Sequence, residues 1–538
     1  MKNLKNRLST DRTRKKCKRS CKWQLSFSSV LFTLAFLLMF SQQTNARNGK
    51  IQSTKMPNVE GKLSTVDNHL LPVNNPTADK VSSTNFQSSS DANSKQSQSI
   101  EKLAIRIMKT DLVKKAISDG VELYKASKIA SKPEALRYAR SAVEETAMFS
   151  SLYAAMDGFS DPSFVWVYAP PHKWNGYYVP GSRWYADNAD TFYRTLVVDE
   201  NSSYEIQVYA SKKLPAQLSL MVYGWVIHDG TDPRNDVPLG TLDITDTTPR
   251  NADGSITVTA GPDPANGRSN HIQIKPGAKQ ILVREIRGDW SLPSVKLAVK
   301  RVKGDVPKIK TLEEMSKKAA MYIGLGVVAV GNISIGFGEL KENQPGEPRV
   351  RWIEETGSNN QKLTMDEPVG PDRALGFLSP FLFNLKMDEA FIVTFDMLEC
   401  GYLSINTYRP FMLSPEHVYH SSSLNNFQAK PNPDGTITFV FSRVDPGVYN
   451  WIDFSGIPYG EVGVRWQNLK RPVVGSLKNA VHMAKTVKLA DLRKELPSTT
   501  VWITPQERVK QQENRAKQYK IRCLGTPCEV GGELDKPY

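Results

Sequence analysis

Between residues 100 and 158, apolar residues recur every three or four positions. IEKLAIRIMKTDLVKKAISDGVELYKA and PEALRYARSAVEETAMFSSLYAAMDGF each carry such a stripe, which predicts amphipathic helices packed onto a sheet. Pro133 suits the first position of the second helix. From Asp161 to about Val302 the pattern changes to short β-branched and aromatic runs such as SFVWVYA, TFYRTLVVD, SYEIQVYA and KQILVREI, separated by Gly, Pro, Asn and Asp. Those runs predict a sandwich or jelly roll. Helical spacing returns over 311–345, where TLEEMSKKAA has a Thr cap and early acids. The stretch Ala319–Gly338 that follows has no charge but five glycines, and reads as a buried helix or helix-loop rather than a membrane span. A second set of strands runs from Glu389 to Leu469: EAFIVTFDML, GYLSINTY, TITFVFS, WIDFSG and EVGVRWQNL. PFLFNLKMDEA before it reads as a short helix or an extended approach. After Ser476 comes a predicted helical tail that includes TPQERVKQQENRAKQYKI, whose basic surplus reads as a solvated face.

The two strand-rich regions share a stretch. NADGSITVTAGPDPANG and NPDGTITFVFSRVDPG each open on an Asp-Gly turn, and Asp253 to Arg284 spans the same 31 residues as Asp434 to Arg465. Leu218-Ser219-Leu220 precedes the first copy as Leu403-Ser404-Ile405 precedes the second. The expected class is mainly β with helices (α+β): two related jelly-roll-like β-sandwich units packed with several helices. The segments are a signal peptide (1–46), a disordered linker (47–99), a helical segment (100–160), a first β unit (161–305), a helical connection (306–388), a second β unit (389–475) and a helical tail (476–538).

Charge changes the picture at the N-terminus. The chain of 538 residues has a net charge of +15, but residues 1–24 hold ten Lys or Arg against Asp11, leaving about +6 elsewhere. That scattered remainder gives no nucleic-acid footprint. The basic stretch leads into an apolar run over residues 25–40, with Thr44 and Ala46 fitting a cleavage site. The expected location is exported: periplasm, cell envelope or secreted. The alternative is an inner-membrane anchor formed by residues 25–40, so membrane contact is expected only through the leader. Cys523 and Cys528 could close a small disulfide loop in an oxidising compartment, and Cys400 reads as a buried thiol.

Candidate chemistry is sparse. The chain has no G-x-S-x-G, no P-loop and no H-E-x-x-H. Gly324, Gly326 and Ala329 match G-x-G-x-x-A behind a helical rather than a strand pattern, so no dinucleotide site follows and no cofactor is expected. His417 and His420, beside Glu416, lie in a Pro-led loop, and no metal site is expected. His172 and Trp174 sit in an aromatic loop with Tyr177 and Tyr178, of a kind that stacks on sugar rings or simply packs on the sandwich. Asn188, Asp190 and Tyr193 in the first unit, and Asn450 and Trp451 in the second, are the candidate ligand-binding residues. Asp445, Asp453, Arg465 and His172 are weak catalytic candidates, because paired acids near an Arg could serve acid–base chemistry. The same residues could equally satisfy turn backbones.

At these residues the chain resembles the family built on domain of unknown function 1214. GYLSINTY, the Asp-Gly turn, Asp445-Pro446-Gly447 followed by Asn450, Trp451 and Asp453, and the closing Arg465-Trp466 fall in that family's order. DNADTFY looks like a motif of its longer members, with Ala189 where Pro is usual. The resemblance implies a jelly-roll-like fold and export in bacteria, and brings no catalytic residue. The function expected is an exported cell-envelope protein that binds a carbohydrate-like or amphiphilic ligand, or a protein partner. The alternative is an enzyme of unfamiliar, hydrolase-like type with a pocket between the β units. Partners expected are a small-molecule or glycan ligand and no nucleic acid, with homo-oligomerisation left open.

Overall fold

The computed structural model describes residues 90–127, 133–224, 226, 229, 238–333, 350–352, 377–469 and 480–535. The leader, the cleavage site and the linker up to residue 89 lie outside them.

Two β modules of matching topology form the body. In the first, a five-stranded sheet runs β1 (Val165–Val167), β4 (Thr191–Val197), β10 (Gln280–Ile286), β6 (Gln217–Tyr223) and β7 (Gly240–Asp243). A four-stranded sheet runs β11 (Lys296–Lys303), β5 (Ser203–Tyr209), β8 (Ile256–Gly261) and β9 (His271–Gln273). The second module repeats both orders. Its five-stranded sheet is β12 (Val350–Trp352), β13 (Phe377–Asn384), β19 (Tyr459–Leu469), β15 (Cys400–Tyr408) and β16 (Ser423–Asn425). Its four-stranded sheet is β18 (Trp451–Asp453), β17 (Ile437–Ser442), β14 (Glu389–Phe395) and β20 (Val481–Lys488). In each module one parallel pair, β8–β9 or β17–β18, joins otherwise antiparallel ladders.

The repeated stretch is this correspondence seen in sequence. Arg284 lies opposite Ser219 and Arg465 opposite Ser404 in equivalent ladders. The turns match atom for atom. Asp253 Oδ1 accepts from the Ser255 amide and hydroxyl, as Asp434 Oδ1 does from Thr436. Asn251 and Asn432 each bridge two hydroxyls on the following strand. Gly254 and Gly435 take positive φ, 82° and 87°, which an L side chain resists.

The inner strands of the larger sheets, such as β4, β6 and β15, are buried on both faces. In β6, Leu218, Leu220 and Val222 join the sandwich core with Ile206, Val258 and Val283, while Met221 and Tyr223 face a second core shared with helices. Those helices are α1 (Lys95–Met108), α2 (Asp111–Lys125), α3 (Pro133–Met156) and α4 (Leu312–Ile333). Gly120 lets α2 approach closely: a Cβ there would come 3.0 Å from Val143 and 3.2 Å from Val327. The apolar Ala319 stretch therefore forms a packed helix, with Ala319, Ile323, Val327 and Val330 buried. No helix among the described residues is long and apolar enough to cross a membrane.

Four boundaries differ from expectation. The linker ends earlier, because Ser94 caps a helix starting at Lys95 and Asp91 is buried against Arg194. The expected helical connection contains strands β12 and β13: the PFLFN run is extended, lying between β12 and β19. The second β unit runs on into β20, whose alternating half-buried and exposed residues pair it with β14. The tail also contains a strand, since β21 (Cys528–Val530) adds to the hairpin of β2 (His172–Trp174) and β3 (Tyr177–Val179) before a short 3-10 helix, Gly532–Asp535. Between these lie the short α5 (Leu492–Glu495) and α6 (Pro505–Tyr519), the latter opened by a capping box of Thr504 and Glu507.

Candidate functional site

The modules meet at a buried polar joint. The loop before β4 carries Asn188, Ala189 and Asp190 onto β15. Asn188 Nδ2 donates to Tyr402 Oη at 3.0 Å, and Tyr402 donates to Asp190 Oδ2 at 2.6 Å. Trp290 Nε1 donates to the other Asp190 oxygen at 2.8 Å. The Ala189 amide donates to Asn406 Oδ1 at 3.0 Å, a bond a Pro at this position has no N–H to make. The C-terminal segment completes the joint: Arg515 and Arg522 lie over the Trp290 ring at 4.2 and 5.3 Å. Burial raises the Asp190 carboxyl above its usual range. Asn188, Asp190 and Tyr193 are thus brought together as expected, but they bind one another rather than lining a cavity.

Arg465 belongs to the same joint. Its guanidinium donates to Tyr408 Oη at 2.7 Å and to the Ala186 carbonyl at 2.6 Å, tying β19 to the first module. Two strand turns away Glu461 is only 6% exposed, and burial pushes its carboxyl up to about 8. An ordinary Glu loses its proton near 4.5, so between these values the folded chain holds one proton more than the unfolded chain. The contribution of Glu461 to stability therefore falls by about 1.4 kcal/mol per pH unit as pH rises through that window. Glu461→Gln is expected to unfold at the same denaturant concentration as wild type near pH 4.5 and at a progressively higher one towards pH 8. Parallel midpoints across that range would remove the buried neutral acid from the account.

The remaining candidates are dispersed. His172 is 1% exposed between Trp166 and Trp174, with Nδ1 on the Pro170 carbonyl at 2.8 Å. Burial pushes its imidazole down to about 4, so it is neutral and sealed from solvent: of the two readings of this aromatic loop, it packs rather than opening to a ligand. Trp174 is buried too, donating to Glu101 at 3.1 Å. Asn450 pins a corner: it donates to the Lys430 and Thr438 carbonyls and accepts from the Lys430 amide. Asn270 donates to the Pro249 carbonyl at the matching place in the first module, so this amide is a shared structural device. Trp451 donates to the Ser442 carbonyl and lies under Arg508. Asp445 caps Gly447 and holds Arg508 of α6 at 3.0 Å. Asp453 caps Ser455 and binds His420 Nδ1 at 2.5 Å, with the His side chain 44% exposed. The two acids therefore serve separate partners and do not form a carboxylate pair. His417 turns to Tyr519 instead of sharing a face with His420. Cys523 and Cys528 are disulfide-bonded, and Cys400 is a buried free thiol.

What the sequence did not indicate is a cleft of about 610 Å³ between α1, α2, α3 and the hairpin. Ile105, Met108, Ile117, Val121, Tyr178 and Leu534 give it an apolar wall. Lys109, Lys114 and Lys125 stand among its residues, and Glu144, paired with Arg140 at 2.9 Å, carries a carboxyl raised by burial. Glu145, Arg409 and Asp535 line its floor and belong to a buried quartet completed by Arg183, which is fully buried and does not itself line the cleft. Arg183 grips Glu145 through Nε at 2.8 Å and Nη2 at 2.5 Å, and Asp535 through both terminal nitrogens at 2.6 Å. Arg409 adds a bond to Glu145 at 2.9 Å. Gly181 lets the backbone lie on this floor, since a Cβ would meet the Glu145 carboxyl at 2.8 Å. These four charges span 390 positions of sequence, and only their placement beside apolar runs hinted at burial.

The fold defines a two-module β-sandwich protein with a helical layer. No protein-family model matches the chain, and no curated protein matches it. Among solved structures, an uncharacterized protein from Burkholderia cenocepacia is similar over 72% of this chain and 99% of its own, at 18% identity and TM-score 0.51. The VPA0106 protein from Vibrio parahaemolyticus aligns over 69% of this chain and 99% of its own, at 9% identity and TM-score 0.31. The first likeness shows the shared fold; neither names an activity.

Proposed function

We propose that the protein is an exported cell-envelope binding protein, of the family built on domain of unknown function 1214, and that its ligand site is the helix-side cleft. The observation that carries this reading is the cleft itself: it falls in the size range of small-molecule sites and joins an apolar wall to a few convergent charges. The basic leader and the disulfide support export, and the DPG, Asn450-Trp451 and Arg465-Trp466 motifs support the family. The residues expected to bind a ligand are bonded inside the fold, Asn188, Asp190 and Tyr193 at the joint between modules and Asn450, Trp451 and Trp174 elsewhere, which favours the cleft.

Ile117 lines the cleft from α2 and is half-buried. Ile117→Trp is expected to fill the space without disturbing the core. A panel of amphiphiles and oligosaccharides screened by calorimetry against the wild-type protein should yield a binder that loses at least tenfold affinity in this variant, with an unchanged thermal midpoint. A binder with equal affinity for both proteins would place the site elsewhere.

A further inference from the structure

The quartet under the cleft is electrically neutral: Arg183 and Arg409 against Glu145 and Asp535. Its members are not held equally. Glu145 comes from the middle of α3 and takes bonds from both guanidiniums. Asp535 comes from the C-terminal segment, beyond both the disulfide and β21. Residues 532–535 form a short 3-10 helix held at its end by the Asp535 bonds to Arg183, while three bonds from backbone amides of this segment are long: Gly531 amide to the Pro171 carbonyl, Gly532 amide to Glu416, and Leu534 amide to the Gly531 carbonyl, each 3.3 Å. Leu534 lies against the cleft and Asp535 forms part of its floor. Withdrawing Asp535 leaves the two buried guanidiniums with Glu145 and the nearby buried Asp187, and vacates the bidentate face of the Arg183 cation. A buried charge of that kind demands an anion, and a planar guanidinium fork fits a carboxylate. Arg409 offers a further donor: it is 2% exposed, and its Nε has no hydrogen-bond partner among the described residues.

We propose that the cleft takes an amphiphilic monocarboxylate, and that Asp535 occupies the ligand's head-group seat in cis. The apolar wall of Ile105, Met108, Ile117 and Val121 takes the chain of the ligand. Its carboxylate exchanges with that of Asp535 on Arg183, so charge is conserved on the floor and the C-terminal segment swings clear. This rests on the cleft being the binding site and adds both the ligand class and the device that regulates access.

The test compares dodecanoate with dodecanol as probes, on the full exported chain carrying Asp535→Asn and on wild type. The neutral Asn grips Arg183 less tightly and keeps the shape of the floor. Dodecanoate is expected to bind the variant at least tenfold tighter than wild type, with dodecanol shifted less than twofold. Unchanged or weaker dodecanoate binding by the variant, with both probes still binding wild type, overturns the exchange and leaves the cleft reading standing. Binding of neither probe to either protein overturns both. Hydrogen exchange on wild type covers the case of a variant that folds poorly: saturating dodecanoate should speed exchange of the amides of residues 532–535, and slower or unchanged exchange overturns the proposal.

Discussion

Arg183→Met is expected to lower the unfolding free energy by about 3–5 kcal/mol, the cost of removing one partner from a buried ion pair. Arg183 is fully buried and bonds both Glu145 and Asp535 bidentately. Methionine keeps most of the volume and none of the charge, so the loss reports the stranded carboxylates rather than a void. Glu145 retains Arg409, whereas Asp535 keeps no cation in the quartet. Adding Asp535→Asn to Arg183→Met should therefore recover part of the loss, although Asp535→Asn alone destabilises. Urea denaturation of the four proteins closes this cycle. Additive losses would mean that Arg183 and Asp535 do not act as a pair.

The second large effect is expected at the joint between the modules. Asp190→Ala strands the buried Trp290 indole N–H and leaves the Tyr402 hydroxyl only the Asn188 side chain, whose Oδ1 it reaches at 3.1 Å. One unsatisfied buried donor, a weakened Tyr402 bond and the space left behind should cost about 3 kcal/mol. Asp190→Asn should cost less, because one amide oxygen still accepts. Equilibrium denaturation followed by tryptophan fluorescence reads both. A loss below about 0.5 kcal/mol for the alanine variant would show that the joint is held by apolar contacts alone.

The candidate residues separate into those with local and those with distant partners. Asp253, Asp434, Asn450 and Asp445 meet backbone groups a few residues away or on the adjacent strand, so their turn-forming role can be read from Asp-Gly and Asp-Pro spacing. Asn188 and Asp190 are flagged by the same kind of polar cluster, but their partner Tyr402 lies more than 200 residues on. That cluster reads equally well as a pocket or as a bonded joint. His172 shows the limit most plainly. Its neighbours Pro170, Trp174 and Tyr178 suit a ligand-stacking loop or one packed on the sandwich, and the pairing of β21 against β2 and the ring of Trp166 seal it inside. The strand that covers it begins 356 residues later.

Periodicity and turn chemistry determined the α+β class, the helical layer and the duplication, because these depend on interactions within a turn, a hairpin or a repeat of fixed length. The 31-residue spacing from turn Asp to strand Arg is conserved between copies because both arginines must fall opposite a serine in the same ladder. Only the tertiary structure decided where a cavity lies and which charges meet at its floor. Glu145, Arg183, Arg409 and Asp535 carry no shared spacing; they are neighbours because a C-terminal strand folds back onto the first hairpin. Long-range ion pairs of this kind depend on which surfaces are brought together and dried, and no local pattern along the chain records that.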